Sequence, residues 1–252
     1  MTSSHRQNKL LDYIMNHKKV TYAELAEAFD VSSMTIRRDI KELEKSQLIE
    51  RVKGGVVFRE FHPQPIPLEY RTDANMSEKL AIGMTASKLI EEGDVIILDS
   101  GTTTKQIAYH LLNRKNITVI INDFNIYHLL KDNQDIKLFF AGGQVSSTSN
   151  SLVNGVFSHS FYKNFHVNKA FISTLSVDFS EGLFTPDIEM VQDKRSMIEV
   201  SQQVILVADH SKFSRNSSFK FAPIDSVDII ITDKKLSDSM VDLPDTIQLI
   251  KA

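Results

Sequence analysis

Short apolar runs alternate with helical segments along the last two thirds of the chain. The apolar runs are DVIIL at 94–98, ITVII at 117–121, IKLFF at 136–140, KAFIS at 169–173, VILVA at 204–208 and VDIII at 227–231. Apolar residues at helical spacing predict helices near 77–91, 103–112, 126–130, 154–164 and 187–202. Near-continuous apolar strands separated by helices are typical of a parallel sheet covered on both faces. The pattern therefore predicts an α/β domain.

Polar residues follow most of these strands, where ligands usually bind in open α/β sheets. The residues at these strand ends that we take as candidates for ligand binding are Asp99, Ser100, Gly101, Thr102, Thr103, Asn122, Asp123, Gly142, Gly143, Asp209 and Lys212. For Asp209 and Lys212 a salt-bridged loop is the alternative. Glu189 and Lys194 fall near the start of a helix that could cover the cleft, and we interpret them as ordinary charged positions.

The segment at 94–112 has the pattern of a strand, a tight turn and a helix. The apolar run ends in Asp99, the turn reads SGTTT at 100–104, and Ile107, Ala108 and Leu111 then follow at helical spacing. A helix N-terminus presents free N–H groups and a partial positive charge, which suit a phosphate. The turn is therefore a candidate phosphate site, and an ordinary helix start capped by Ser or Thr is the alternative.

The first 58 residues follow a different pattern. Helical spacing predicts three short helices, at about 6–18, 21–30 and 31–47, with Ser32 or Ser33 capping the third. The segment LIERVKGGVVF predicts a hairpin that turns at Gly54 and Gly55. Three helices and a hairpin in this order predict a winged helix-turn-helix.

The third helix is the candidate for reading DNA, because Ile36, Ile40 and Leu43 form one apolar stripe and leave the basic residues on other faces. Arginine is suited to bidentate contacts with guanine or phosphate. A solvated helix with ordinary charges is the alternative, but the preceding helix, the double arginine and the wing favour DNA binding. The candidate DNA-binding residues are Ser32, Ser33, Thr35, Arg37, Arg38, Lys41, Arg51 and Lys53.

A proline-rich segment separates the two patterns. Pro63, Pro65 and Pro67 occur within five residues and favour extended chain. The expected organisation is a DNA-binding domain at 1–58, a linker at 59–74 and a larger α/β domain at 75–252.

Composition sets broad limits. The chain has 252 residues, 42% hydrophobic and 24% charged, which is usual for a soluble globular protein. It has no cysteine, no signal peptide pattern and no apolar run long enough to cross a membrane, so a reducing cytoplasm is the expected location. Residues 1–58 carry ten Lys or Arg and eight Asp or Glu, so the basic side lies at the N-terminus although the net charge is −3. The histidine spacing indicates no metal site, and no cofactor is expected.

The chain resembles the DeoR family of bacterial transcriptional regulators over nearly its whole length. The matching segments are ELAEAFDVSSMTIRRDIKELEKSQLIERVKGG, LDSGTTTKQIA, FFAGGQVSSTSNSLVNG, KAFIS, VADHSKF and IDSVDIIITD. Where relatives usually read Thr-Asn-Ser after the second strand, this chain has Ile121, Asn122 and Asp123. The resemblance implies a winged helix-turn-helix followed by a sensor domain related to ribose-5-phosphate isomerase-like folds.

The resemblance also implies a regulator, a repressor or an activator, of a carbohydrate-use operon, with double-stranded operator DNA and a phosphorylated sugar as partners. A homo-oligomer, dimer or tetramer, is expected because one winged helix reads few base pairs. The alternative is a sugar-phosphate isomerase with an accessory DNA-binding domain, in which Asp123, Asp209 and Lys212 would act as acid, base or enediolate-stabilising groups. We favour the regulator, because no clearly spaced pair of carboxylates emerges at the strand ends.

Overall fold

The structure is a computed structural model that describes residues 3–46, 48–59, 68–146, 151–213 and 218–252. The chain divides into two compact units, Met1–Ala74 and Asn75–Ala252.

The first unit has the helices and strands of a winged helix-turn-helix. Its elements are α1 Ser3–His17, β1 Lys19–Thr21, α2 Tyr22–Ala28, α3 Ser33–Leu43, β2 Ile49–Val52, β3 Gly55–Phe58 and α4 Leu68–Asp73. The strands form an antiparallel sheet in the order β1-β3-β2, in which β2 and β3 are the predicted hairpin. The predicted stripe of Ile36, Ile40 and Leu43 is fully buried against α1 and α2 residues such as Leu10 and Leu25.

Local capping fixes where the second and third helices begin. Thr21 and Glu24 form a capping box, in which the Glu24 N–H donates to the Thr21 hydroxyl at 3.2 Å and the Thr21 N–H donates to the Glu24 carboxylate at 2.7 Å. Ser32 caps α3 by accepting from the Thr35 N–H at 3.2 Å. These caps fix the tight turn between α2 and α3.

The expected linker is partly helical, and that part of the prediction is wrong. Leu68–Asp73 form α4, which contacts α1, and the Asp73 carboxylate accepts from the Asn8 side chain at 3.0 Å. The three prolines end at Pro67, so no residue after them prevents a helix. Residues 60–67, with the prolines, lie outside the described part of the chain.

The second unit is an α/β domain, as predicted. Its helices are α5 Met76–Ser87, α6 Thr104–Tyr109, α7 Phe124–Leu130, α8 Val156–Tyr162 and α9 Glu189–Glu199. Its strands are β4 Val95–Leu98, β5 Ile117–Ile121, β6 Ile136–Phe140, β7 Gln144–Val145, β8 Val153–Asn154, β9 Val167–Ile172, β10 Ser176–Asp178, β11 Gly182–Thr185, β12 Ser201–Val207, β13 Phe219–Ala222, β14 Ile229–Thr232 and β15 Gln248–Lys251. Among the described residues, seven of these strands form one parallel sheet in the order β15-β14-β12-β9-β4-β5-β6.

The order of the sheet reverses between β4 and β9. The chain runs from β4 through β5 to β6 at one edge, and then returns to β9 on the other side of β4 and continues outward to β15. Because every neighbouring pair is parallel, the carboxyl ends of all seven strands lie along the same edge. A crevice at such a reversal is where ligands bind in open α/β sheets.

Both faces of the sheet are covered by apolar side chains. Successive residues of a strand point to opposite faces, so Ile97 and Ile120 join one core while Ile96, Leu98 and Val119 join the other. This double burial explains the continuous apolar runs in the sequence.

Some elements differ from the sequence prediction. Asn75, with φ of 51°, is the N-cap of α5, and the Ser77 hydroxyl donates to the Glu78 carboxylate. The helix α6 ends at Tyr109, earlier than predicted. Leu111 continues the apolar spacing but lies in a turn. The antiparallel sheet β10-β11-β13 and the edge strand β15 were not predicted.

Candidate DNA-binding surface and effector site

The exposed face of α3 carries a cluster of basic side chains. Arg37, Arg38 and Lys41 are exposed, and with 3.6 residues per turn they lie on faces away from the buried apolar stripe. Met34 lies on the same face and is 77% exposed. The sequence analysis missed Met34, although its position two residues after the cap could have revealed it. This face can contact both phosphates and base edges, and methionine can contact the thymine methyl group.

Neighbouring residues orient the beginning of this helix. The Arg37 guanidinium lies over the Tyr22 ring of α2, 4.4 Å from its centroid, which favours one orientation of the arginine. Ser32 holds the cap described above, so its hydroxyl is already bonded within the helix start. Ser33 is exposed and Thr35 is half-buried beside the cap.

The wing places its two basic residues differently. Arg51 is exposed on β2, but its Nε forms an ion pair with the Glu44 carboxylate at 2.7 Å. Such exposed pairs contribute little, about 0–1 kcal/mol, so a phosphate can replace the carboxylate. Lys53 is exposed at the tip of the hairpin, next to Gly54, whose φ of 85° suits the turn.

In the second unit, a buried ion pair lies where the strand order reverses. Asp99 follows β4 and accepts from the Lys194 ammonium at 2.5 Å, and from the N–H and hydroxyl of Ser173, both at 2.9 Å. Lys194 also donates to the Ser173 carbonyl at 2.8 Å and is only 2% exposed. Our interpretation of Lys194 as an ordinary charged position was wrong: α9 carries it beneath the strand ends and not to the outer surface.

The SGTTT turn leaves backbone donors available directly beside this ion pair. Within the described residues, no partner accepts from the N–H groups of Gly101, Thr102, Thr103 or Thr104. An added Cβ at Gly101 would lie 3.1 Å from Ser173 atoms and 3.3 Å from the Thr104 hydroxyl, so only glycine fits easily at that position. The turn therefore presents several N–H donors at the crevice, the arrangement that anions require.

Asn122 and Asp123 follow β5, the strand next to β4. The Asn122 amide donates to the Val153 carbonyl at 3.1 Å. Asp123 caps α7 by accepting from the Asn125 N–H at 2.7 Å and the Ile126 N–H at 3.4 Å. Burial raises the pKa of the Asp123 carboxyl above its ordinary range, although these N–H donors oppose the shift. The Asp123 carboxylate, at a position where relatives usually have serine, therefore caps α7.

The glycine pair after β6 serves a close approach between loops. Gly142 and Gly143 are both exposed, and a Cβ on Gly143 would lie 2.6 Å from the Asn154 carbonyl oxygen. Gly143 therefore allows the β6–β7 loop to lie against β8.

Asp209 and Lys212 follow β12 and lie farther from the turn. Strand β9 separates β12 from β4, so about 10 Å divides their ends. Asp209 accepts from the Asn75 amide at 2.9 Å and from the Ser211 N–H at 3.1 Å. Lys212 is half-buried in the same short turn. Beside them, a hydrogen bond from the His210 ring to the Asp233 carboxylate raises the pKa of the histidine.

The comparisons with known proteins agree with this two-part organisation. The model of the DeoR-like helix-turn-helix domain matches residues 6–61, and the model of the DeoR C-terminal sensor domain matches residues 74–234. The chain belongs to the DeoR family of transcriptional regulators.

Relatives match this DeoR-family chain over almost its full length. The HTH-type transcriptional regulator IolR of Bacillus subtilis is 34% identical over 92% of both chains. The repressor GlcR of the same species is 31% identical over 97% of this chain and 94% of its own. The glycerol-3-phosphate regulon repressor of Escherichia coli is 31% identical over 92% of both chains. This chain is therefore a DNA-binding transcriptional regulator, as the sequence analysis predicted.

Among solved structures, ribose 5-phosphate isomerase A of Methanocaldococcus jannaschii is 20% identical, with a TM-score of 0.41 over 55% of each chain. A likeness at this level carries no argument about the chemistry of the DeoR-family sensor. Within the described residues, no helix is long and apolar enough to span a bilayer, and no group of three His, Cys, Asp or Glu is arranged to hold a metal ion.

Proposed function

We propose that this DeoR-family regulator is a repressor of carbohydrate-use genes, acting in the cytoplasm, and that a phosphorylated sugar bound by its sensor unit controls its affinity for operator DNA. The name of one relative, the glycerol-3-phosphate regulon repressor, supports a role in the metabolism of a small phosphorylated compound. The observation that carries the effector proposal is the set of available N–H groups at the SGTTT turn, at the point where the strand order reverses.

For DNA, we propose that Arg37, Arg38 and Lys41 on α3 contact the operator, with Ser33, Thr35 and Met34 beside them. The wing would add phosphate contacts through Lys53, and through Arg51 once its pair with Glu44 opens. The Ser32 cap would fix the start of the helix, so that its side chains keep one register on the bases.

For the effector, we propose that the phosphate accepts from the N–H groups of 101–104 and from the Thr102 and Thr103 hydroxyls. Asp99 would act by holding Lys194 and Ser173 at the crevice. Asn122 and Asp123 on β5, Gly142 and Gly143 after β6, and Asp209 and Lys212 after β12 would border the ligand.

We propose that the protein senses its ligand and does not convert it. An isomerase needs a carboxylate that is free to take a proton from the substrate. Asp123 is engaged as a helix cap, Asp209 accepts from Asn75 and Ser211, and Asp99 is bonded to Lys194. These contacts favour the regulator over the isomerase.

The test begins with selection of an operator from genomic fragments by the full-length protein. Operator affinity is then titrated with inorganic phosphate, glycerol 3-phosphate, ribose 5-phosphate, glucose 6-phosphate and fructose 6-phosphate present in turn. We expect one or more sugar phosphates to change the operator affinity by about 5–150-fold. Steady conversion of a sugar phosphate to product by the purified protein would overturn the proposal and favour the isomerase.

A further inference from the structure

Several side chains in the described part of the sensor unit have buried polar atoms without a hydrogen-bond partner. Four of them are linked to the SGTTT turn through neighbouring residues: the Ser100 hydroxyl, the Asn122 Oδ1, both amide atoms of Asn154 and the Asp193 Oδ1. Each of these four residues is at most 5% exposed. Most buried polar groups in proteins are hydrogen-bonded, so four such residues in one region need a physical reason.

Hydrogen bonds of neighbouring residues link these side chains to the SGTTT turn. Ser100 follows Asp99, which is bonded to Lys194, and Asp193 precedes Lys194 on α9. The Asp193 Oδ2 accepts from the Ser158 hydroxyl at 2.6 Å, and that hydroxyl also donates to the Gly155 carbonyl at 2.9 Å.

Further contacts link Asn154 to Asn122 and to the strand end that carries Ser100. Asn154 lies between Val153 and Gly155 in the chain. The Val153 N–H donates to the Asn122 carbonyl at 2.8 Å, and the Asn122 side-chain amide donates to the Val153 carbonyl at 3.1 Å. Asn122 follows β5, which pairs with β4, so it lies next to the end of the strand that carries Ser100. The four residues are thus linked through successive contacts and chain neighbours, and we call them the buried polar cluster.

The chemistry of the cluster complements that of the turn. Its available atoms are mainly acceptors: two amide oxygens, one carboxylate oxygen and one hydroxyl, with the Asn154 amide as the nitrogen donor. The turn offers only N–H donors and hydroxyls. A ligand that matches both has an anionic group at one end and several O–H donors next to it.

We propose that the buried polar cluster binds the hydroxyl groups of the effector, and that Asn154 and Asp193 select a phosphorylated polyhydroxy compound over a simple phosphate. This inference rests on the proposed function, because it takes the SGTTT turn as the phosphate site. Asn154 and Asp193 are thereby specificity-determining residues that the sequence analysis did not identify.

The electrostatics of Asp193 support this assignment. Burial raises the pKa of Asp193 to about 7, and the nearby Asp99 charge acts in the same direction, while Ser158 and Lys194 oppose it. Burial and the charges of Asp193 and Asp99 also raise the pKa of the Tyr162 hydroxyl, which has no protein partner. A carboxyl in this setting gains from a neutral O–H donor, and a second anionic group would be repelled.

A first test needs no ligand. Replacing Asn154 by leucine, which has a similar shape, removes an amide that is buried without a partner. We expect Asn154→Leu to raise the Tm of the free protein by about 2–4 °C or more. Asn133 is the matched control, because its amide donates to three carbonyls and its Oδ1 accepts from the Asp135 N–H. Asn133→Leu is expected to lower the Tm.

A second test uses ligands and a smaller substitution. The Tm of the parent, Asn154→Leu and Ser100→Ala is measured with inorganic phosphate and with ribose 5-phosphate, glucose 6-phosphate and fructose 6-phosphate. We expect the best sugar phosphate to raise the parent Tm more than inorganic phosphate does. In both variants this excess should disappear, whereas Asn133→Leu should keep it.

The outcomes separate the two proposals. An excess that persists in both variants, or an Asn154→Leu protein that loses stability as the control does, would overturn the role of the cluster and leave the phosphate site standing. A parent protein that responds to neither inorganic phosphate nor any sugar phosphate would overturn the proposed effector site, and the inference with it.

Discussion

At the scale of single residues, the sensor unit depends on a lysine buried between two strand ends. Lys194 bonds to the Asp99 carboxylate and the Ser173 carbonyl, and both charged side chains are almost fully buried. Removing one partner of such a pair leaves the other charge in a low-dielectric environment, which is the costly event.

We therefore expect Lys194→Met to lower the free energy of unfolding by about 3–5 kcal/mol. Urea denaturation followed by circular dichroism measures this loss. Adding Asp99→Asn to Lys194→Met should recover part of it, because the unpaired charge is then absent. A single variant within 1 kcal/mol or so of the parent would contradict the importance of the pair.

A second residue-scale prediction concerns pH. The pKa of Asp193 rises from 3.8 to about 7 in the folded protein, so the folded state binds its proton more tightly than the unfolded state does. The unfolding free energy contributed by this group therefore falls as the pH rises from about 4 to about 7, and stays low above that range.

Asp193→Asn should remove this fall and make the protein more stable than the parent at pH 8, on the order of 3 kcal/mol. The check is a series of denaturation curves for both proteins between pH 5 and pH 8 or so. Parallel pH profiles for the parent and Asp193→Asn would show that Asp193 does not titrate in this way.

Single residues could be located in the sequence where a strand pattern placed them. Asp99 and the SGTTT turn could be found because an apolar run ends there, and parallel strands share one edge. Lys194 could not be recognised, because its partner Asp99 lies 95 residues away in the sequence and the helix pattern alone does not show which face is buried. Asn154 and Asp193 were missed for the same reason.

At the scale of elements, α3 joins stability and recognition on opposite faces. Its apolar stripe is buried, while Arg37, Arg38 and Lys41 stay exposed. Substitutions on the exposed face should therefore change DNA binding and leave the fold intact.

We expect Arg37→Ala combined with Arg38→Ala to weaken operator binding by about 1–3 kcal/mol for each base-reading arginine and to relax sequence preference. Fluorescence anisotropy with the selected operator measures the change, and binding of the parent should weaken steeply as salt rises. Lys45→Ala is the control for charge, since Lys45 is exposed beyond α3 and pairs with Glu42. Equal affinities for the double variant and the parent would show that α3 does not read the operator.

Elements with a clear apolar pattern could be predicted from the sequence, and short elements without one could not. The long apolar runs all became strands of the parallel sheet, and the stripe of α3 is buried as expected. The strands β10 and β11 have three and four residues and pair through tertiary contacts, so no periodicity identifies them. α4 was not predicted, because the three prolines just before it favour extended chain.

At the scale of the whole molecule, regulation requires that the ligand favour one of two states of the protein. A substitution of Gly101 tests this coupling, because it changes the sensor unit and leaves the DNA-binding residues unchanged. A valine there would bring branched carbon atoms toward Ser173 and Thr104, which already lie 3.1 and 3.3 Å from the position of a Cβ.

We expect Gly101→Val to abolish the change in operator affinity that the effector causes in the parent, and to leave operator affinity without effector near the parent value. Titrations of the same operator with and without the sugar phosphate give both quantities. Lys212→Ala is a second variant, expected to weaken the response to phosphorylated sugars more than to free sugars. A Gly101→Val protein that responds fully would exclude the SGTTT turn as the effector site.

The last prediction concerns assembly, which we propose occurs through the second unit, because a single winged helix reads few base pairs. Leu80 and Met84 lie one turn apart on α5 and are 48% and 46% exposed. Gly83 lets α5 approach α6 closely, since an added Cβ would lie 2.5 Å from the Gln106 Cβ. Leu112, just beyond α6, is also exposed, at 41%.

Such a surface suits a symmetric contact with a second copy. We expect Leu80→Glu combined with Met84→Glu to shift the full-length protein toward monomer in sedimentation velocity at micromolar concentration, because a symmetric contact would bring the new carboxylates of both copies together. Operator affinity should fall with it, since paired half-sites could no longer be bound together. Phe157→Glu is the control, as Phe157 is also apolar and, at 79%, more exposed, but lies on α8. Dissociation by Phe157→Glu alone would move the interface to α8, whereas a monomeric parent would exclude assembly through either surface.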